Sequence, residues 1–450
     1  MKKKRFLRLF LTLVIFILIL TGCTDNDSPE RNDTVIADIN TTKAVSHEIE
    51  SEMAYMKVSL PILEISDNTE GEIQPPLPES WAYLSAGRTH IVAIGADGSL
   101  WAWGGNRAGQ LGDGTTIDRL SPVRIGADYD WASVSAGQGN WDAHTAAIRT
   151  DGSLWTWGRN SEGQLGNGTR ANSAVPIQIM PDYKMVSVSA GMEHTAAVRD
   201  DGTLWIWGST GFAANGHGRG TSPISHGNTP VQLGEDADWV LVSAGANYTA
   251  AIKTDGSLWG WRGDEERRWS PYEDSVTRHD TPIQIGTYTD WVSVSAGRAN
   301  AFAIRSDGSL WGWGDNGAGQ LGDGTRTSRS TPVQIKVSSN GISASWASVV
   351  SGHFHAVALK TDGSLWTWGV NVHGELGDGT GGRGWGDRSD DRHSPARVGV
   401  DYDWVSIAAS DGYTVAMRAN GSLWTWGDNQ WGQLGDGTTT SRSSPLRITP

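Results

Sequence analysis

The sequence predicts an all-β fold, a seven-bladed β-propeller of four-stranded antiparallel blades, and three observations predict it. The motif Asp/Asn-Gly-Ser/Thr-Leu-Trp-x-Trp occurs seven times, starting at Asp97, Asp151, Asp201, Asp255, Asp307, Asp362 and Asn420. The spacings are 54, 50, 54, 52, 55 and 58 residues, and a period of that length marks modules that cannot bury their apolar faces alone. Each unit holds four short segments of strand character and no helical period, and such sheets repeated radially make a propeller.

The unit from Trp131 to Ile179 justifies the elements in order. Trp131-Ala-Ser-Val-Ser-Ala-Gly137 is a first strand whose small residues suit the crowded position nearest the axis. His144 to Ile148, small and branched, is the second strand, and Asp151-Gly152 is a hairpin turn signal, since Gly tolerates positive φ and Asp bonds back to its own backbone. Ser153 to Trp157 alternates with period two, which places Trp155 and Trp157 on one face. The Gly- and Asn-rich run Gly158 to Gly168 reads as an ordered loop, and Pro176 to Ile179 reads as an edge strand.

Of the 24 Trp residues, 14 form the motif pairs and six more (Trp81, Trp131, Trp239, Trp291, Trp346, Trp404) open a repeat, with Met185 in the seventh such position. These 20 are read as core between neighbouring blades, each worth about 1.5 to 3 kcal/mol or more when buried. The pattern Val-Ser-Ala-Gly-x-x-His, then Asp-Gly-Ser-Leu-Trp-x-Trp-Gly-x-Asn-x-x-Gly-Gln-Leu-Gly-Asp-Gly-Thr, then Ser-Pro-Val-x-Ile resembles the regulator of chromosome condensation repeat family over about residues 81 to 450. The resemblance implies a seven-bladed propeller. It also implies guanine-nucleotide exchange as a family activity, but no motif here carries the residues that activity needs, and fold alone does not imply function.

The chain opens Met1-Lys-Lys-Lys-Arg5, continues with an apolar run from Leu9 to Leu20, and reaches Leu20-Thr-Gly-Cys23. The run has 12 residues, short of the roughly 20 a spanning helix needs. Residues 1–22 therefore read as a lipoprotein-type signal peptide. Cys23, the only cysteine, is the expected lipidation site, carrying the two or more chains that stable anchoring requires. Residues 23–80 hold 13 Asp/Glu against three Lys/Arg and read as an acidic flexible linker. Residues 81–450 form the propeller. The ring closes either with each repeat as one whole blade or with a clasp strand from residues 73–77.

The full chain carries a formal charge of −14 and the repeat region about −9, which argues against nucleic acid as a partner, since that footprint is basic. No phosphate loop, nucleophile elbow or metal-protease helix is present, so no catalytic residue, metal or cofactor is expected. Asp113, Asp323, Asp378 and Asp436 recur in Gly-Asp-Gly-Thr and read as loop caps; a calcium site would need several alternating carboxylates. His90, His144, His194 and His355 share one repeat position, with Tyr248, Asn300 and Tyr413 in the other copies. A metal ring is the sharper reading. A hydrogen bond repeated between strands accommodates the Tyr and Asn as well.

Departures from the repeat mark candidate contacts, because loops vary where binding happens. Trp141, Trp269, Trp385 and Trp431 have no repeat role and are the candidate ligand-binding residues. The expected function is a membrane-anchored, extracytoplasmic platform for an envelope or extracellular protein, with a cell-wall glycan as the alternative ligand.

Overall fold

In the computed structural model, the described residues are 75–139, 142–209, 227–246, 248–262, 282–337, 345–382 and 387–449. The repeat region forms seven four-stranded antiparallel sheets, each built from consecutive strands. Blade 1 shows the plan: Trp81–Ala86, His90–Gly95, Leu100–Gly104 and Arg119–Arg124. The first strands of neighbouring blades lie side by side around the axis. Ala136, Ala190, Ala244 and Ala296 each donate a backbone N–H to the Ser at the fifth position of the preceding blade's first strand, at 2.9 to 3.0 Å. The fourth strand shrinks to Val231–Gln232 and Ile283–Gln284 in blades 3 and 4, the repeats whose loops depart furthest from the template.

The Asp-Gly-Ser-Leu-Trp motif is a hydrogen-bond relay. Asp97 Oδ1 accepts the Ser99 N–H at 3.0 Å and its hydroxyl at 2.6 Å, and Ser99 Oγ accepts the Trp101 indole N–H at 2.8 Å. The first Trp of each pair is thereby fixed at the sheet's end. The second (Trp103, Trp157, Trp207, Trp261, Trp313, Trp368, Trp426) is fully buried, and in five of the blades it packs edge-on or tilted against the Trp that opens its repeat, with ring centres 6.0 to 6.4 Å apart. Seven apolar cores of this kind fill the gaps between neighbouring blades.

In blades 1, 2, 5, 6 and 7 the Gly-Gln-Leu-Gly loop, with Glu375 for Gln in blade 6, locks the blade to the next. The Gln110 carbonyl accepts both the Trp157 indole N–H at 2.9 Å and the Thr145 hydroxyl at 2.8 Å. Gly112 (φ 81°) closes the loop so near the ring that an added Cβ would sit 2.7 Å from Trp157 Nε1, which no other residue tolerates in that backbone region. Asn106 organises the loop from inside. Its amide donates to Asp113, Thr115 and Ile117, and its Oδ1 accepts the Leu111 N–H.

Closure needs no exchanged strand. All four strands of the seventh blade come from the last repeat, Trp404–Ala409 to Arg442–Ile448. Trp103 Nε1 donates to the Gln433 carbonyl at 3.0 Å, and the Tyr413 hydroxyl reaches the His90 carbonyl at 2.8 Å. Of the segment 73–77, residues 73 and 74 lie outside the described residues. Leu77 belongs to no strand and packs into the core between blades 7 and 1.

Candidate functional site: the loop-face mouth of the axial channel

The propeller has two faces. The Asp-Gly-Ser turns and the connections between blades lie on one, here the turn face. The turns after the first strands and the long loops after the third strands lie on the other, the loop face.

The shared histidines sit just inside the loop face and hold blades together. His90, His144, His194 and His355 direct Nε2 at the hydroxyls of Thr145, Thr195, Thr249 and Thr414 in the next blade, at 2.8 to 3.0 Å. Burial disfavours the charged ring and lowers their pKa to about 3, or about 4 for His194, so these rings are neutral. Where the next blade has no Thr, the partner changes. Asn300 faces Ala356 and donates to Ser351 Oγ at 3.0 Å, and Tyr413 faces Ile91 and reaches backbone carbonyls. The hydrogen-bonding reading of these positions holds, and among the described residues no group of three or more His, Cys, Asp and Glu is arranged to hold a metal ion.

The acidic loop positions are caps. Asp113 Oδ1 accepts the Thr115 N–H and hydroxyl, while Oδ2 accepts from Arg119 at 2.7 Å. Burial alone would raise its pKa, but the hydrogen bonds from Thr115 and Arg119 outweigh burial and hold it below the usual carboxylate range. Asp323, Asp378 and Asp436 repeat the arrangement.

Of the unplaced tryptophans, Trp431 is half-buried at the loop-face rim, with the Arg107 guanidinium of blade 1 stacked 4.3 Å from its ring centre. Trp141, Trp269 and Trp385 lie outside the described residues, as do Cys23 and the rest of residues 1–74. The described residues that flank Trp141 in sequence are Gly139 and Asp142, and those that flank Trp385 are Gly382 and Asp387.

The structure adds a cluster at the variable position after the first-strand Gly, or after Ser410 in blade 7, where no one residue type is kept from blade to blade. There Arg88, Gln138, Arg298, His353 and Asp411 converge on the channel mouth from five blades. Arg88 Nε contacts Asp411 Oδ2 at 2.8 Å, and His353 Nδ1 lies 3.3 Å from Asp411 Oδ1. Burial alone would raise the Asp411 pKa, but His353, Arg88 and Arg298 more than offset it and hold the carboxylate far below its usual range. The Ser410 hydroxyl donates to Gln138 Oε1 at 2.7 Å, bridging blade 7 to blade 2 past blade 1. His353 is 4% exposed and its Nε2 has no partner. Arg298 is exposed beside the Phe354 ring. Three cationic or protonatable side chains thus surround one carboxylate in a domain that is otherwise acidic.

Behind this mouth sits Glu375, which replaces the Gln of the Gly-Gln-Leu-Gly loop in blade 6. Its Oε2 accepts the His373 N–H at 2.7 Å, as Gln110 Oε1 accepts that of Ala108 at 2.9 Å. In blades 5 and 7 the Gln amide finds Asp315 or Asp428; in blade 6 the residue at that position is Val370. Burial therefore pushes the Glu375 pKa up to about 8.

A closed ring of seven antiparallel blades, latched by loops and presenting variable turns at one mouth, defines the class: a β-propeller that displays side chains from many blades on one rim. The model of the RCC1-like domain matches residues 141–450, and models of the regulator of chromosome condensation (RCC1) repeat match 97–148 and 81–110. The chain belongs to the RCC1-like repeat family. It is similar to the ultraviolet-B receptor UVR8 of Arabidopsis thaliana, 29% identical over 400 residues, covering 85% of this chain and 84% of the relative. The human E3 ubiquitin-protein ligase HERC2 is 28% identical over 368 residues, which is 79% of this chain but 7% of that much longer protein. Among solved structures, human WBSCR16 superposes with a TM-score of 0.66 at 18% identity, covering 78% of this chain and 94% of that one. Yeast RCC1 (Prp20), solved bound to Kap60, superposes with a TM-score of 0.65 at 19% identity, covering 86% and 91%. At these identities the structural matches speak for the fold.

Proposed function

We propose that this protein is a membrane-anchored, extracytoplasmic platform whose loop face binds another protein. The observation that carries the reading is the channel mouth, where Arg88, Arg298, His353 and Asp411 converge from four separate blades. A rim assembled this way presents a preorganised polar surface to a macromolecule, with little ordering cost on binding. Relatives support a partner of that kind: one crystal structure holds yeast RCC1 with Kap60, and another concerns the binding of Prp20p to Gsp1p and histones. Nucleotide exchange is the weaker alternative, because an exported protein would not meet cytosolic GTPases. The anchor rests on the basic start, the apolar run Leu9 to Leu20 and the single Cys23.

The test is in-cell crosslinking and capture of the tagged full chain, with Arg88→Ala/Arg298→Ala and Trp431→Ala variants alongside. One dominant envelope protein that is lost with the double Arg variant supports the reading. Retention on purified wall polysaccharide with no protein partner moves the ligand to a glycan. Release of Cys23→Ser from membranes supports the anchor; a variant that still pellets with them overturns it.

A further inference from the structure

The turn face carries a second surface, built by backbone geometry repeated in every blade. Each first strand has a β-bulge near its start, so that pairing with the second strand skips one residue after the opening Trp or Met. A bulge re-aims the side chain it frees. In four blades that residue is valine: Val186, Val240, Val292 and Val405 are 41%, 44%, 59% and 47% exposed at the turn-face mouth. Tyr129, Tyr183, Tyr288 and Tyr402 stand around them, 40% to 58% exposed. Among the described residues, nine of the 13 exposed large hydrophobic side chains lie on this face. Scattered apolar residues need no explanation, but segregation onto one face marks a contact surface.

The charges there are layered. Arg149, Lys253 and Arg418 are sunk between tryptophans, with ring centres 4.3 to 4.8 Å away, and are only 18%, 9% and 20% exposed. Their partners Asp128, Asp236 and Asp401 stand in solvent at 53%, 58% and 43%. Each pair hides its cation under the aromatic rings and shows its carboxylate outward. At these three blades the face is therefore apolar toward the centre and presents carboxylates outward, even where charges balance in number.

We propose that the turn face docks a cationic segment of a partner protein bearing aliphatic side chains: the valine ring receives the aliphatic groups and the outward carboxylates receive Lys and Arg. This rests on the reading of the propeller as a protein-binding platform and adds a second face to it. A second copy is disfavoured as occupant, because identical faces would set carboxylate against carboxylate. An anionic lipid surface is disfavoured for the same reason.

The probe is a fluorescein-labelled peptide of alternating Lys and Val, titrated into the full chain in detergent and followed by anisotropy and by backbone hydrogen exchange. The expected result is binding that weakens with added salt, protection at the turn face, and a loss of about tenfold in Val240→Ser/Val292→Ser/Val405→Ser, the scale of a central contact cluster. The variant Ile117→Ser/Leu120→Ser, whose residues are exposed away from this face, should bind as the native chain does. Equal binding by the triple variant overturns the proposal, and so does equal binding of a Lys-Ser peptide, which would reduce it to charge alone. Turn-face protection by phosphatidylcholine vesicles in place of the peptide, or a dimer in sedimentation that the triple variant abolishes, assigns the surface to lipid or to a second copy and also overturns it. If the crosslinked loop-face partner persists while the peptide fails, only this inference falls; if neither binds, the platform reading falls with it.

Discussion

Four of the seven blade interfaces are latched by a buried His–Thr hydrogen bond and three are not. The difference follows one rule. Where the next blade offers Thr145, Thr195, Thr249 or Thr414, the preceding blade has His; where it offers Ile91, Ala301 or Ala356, the preceding blade has Tyr413, Tyr248 or Asn300. Left without its partner, the buried Nε2 would cost about 1–3 kcal/mol, so losing the Thr hydroxyl favours a side chain that reaches elsewhere. Tyr413 reaches the Gly87 and His90 carbonyls, and Asn300 reaches Ser351. Blades of one repeat family are therefore not interchangeable: each carries the half of a latch that its neighbour completes.

The largest expected effect that tests this difference is acid sensitivity. The four histidines have pKa lowered from 6.5 to about 3 or 4 in the folded ring. The unfolded chain takes up protons below pH 6.5 while the folded ring resists, so stability is full above that value and is lost as pH falls from 6.5 toward 3. The loss is about 2 kcal/mol per histidine at pH 5. Hydrogen exchange at pH 5 should show these four interfaces opening before the Tyr and Asn ones. Uniform opening would break the comparison.

The interface between blades 6 and 7 also holds Glu375, and its sign is opposite. With a folded pKa of about 8 against 4.5, the unfolded state ionises first, so Glu375 costs stability as pH rises from 4.5 to 8. Glu375→Gln restores the residue used in the other loops and should stabilise the protein by about 2–3 kcal/mol at pH 7, with the gain gone at pH 4.5. Urea unfolding at the two pH values measures it. Tyr413→Phe should cost less, about 1–2 kcal/mol, by removing the hydroxyl donor to the Gly87 and His90 carbonyls at the closing interface, of which the His90 carbonyl keeps the Gly87 N–H, read as a lower urea midpoint with unchanged slope. Val292→Ser, at no interface, should change stability by less than about 0.5 kcal/mol. A larger loss in a thermal melt would mean that the bulge valine is part of the core.

The fold was legible because its determinants are local and repeated. Asp97-Gly98-Ser99-Leu100-Trp101 specifies a turn, a strand and an indole hydrogen bond within five residues, and seven copies leave one architecture. The histidine role was legible too, since Tyr and Asn substitutes keep hydrogen bonding but discard metal affinity; the Thr that completes each latch was in plain view one repeat later. The loop-face cluster was not legible. Arg88, Gln138, Arg298, His353 and Asp411 share a position but no residue type, and nothing local says that Asp411 meets Arg88 across 323 positions of chain. Of the unplaced tryptophans, only Trp431 has a described place, stacked on Arg107.

By itself, then, the sequence determined the number of blades, the strand order within each and which tryptophans fill the gaps, because periodicity and turn chemistry act over a few residues. Only the tertiary structure decided what the two mouths present. Closing the ring brings the variable turns of distant blades within hydrogen-bonding reach at one end. At the other, the bulge in every inner strand turns a residue of ordinary strand character out to solvent, and sinking the cations between indole rings leaves their carboxylates outermost. Those are consequences of curvature and packing, which no window of sequence contains.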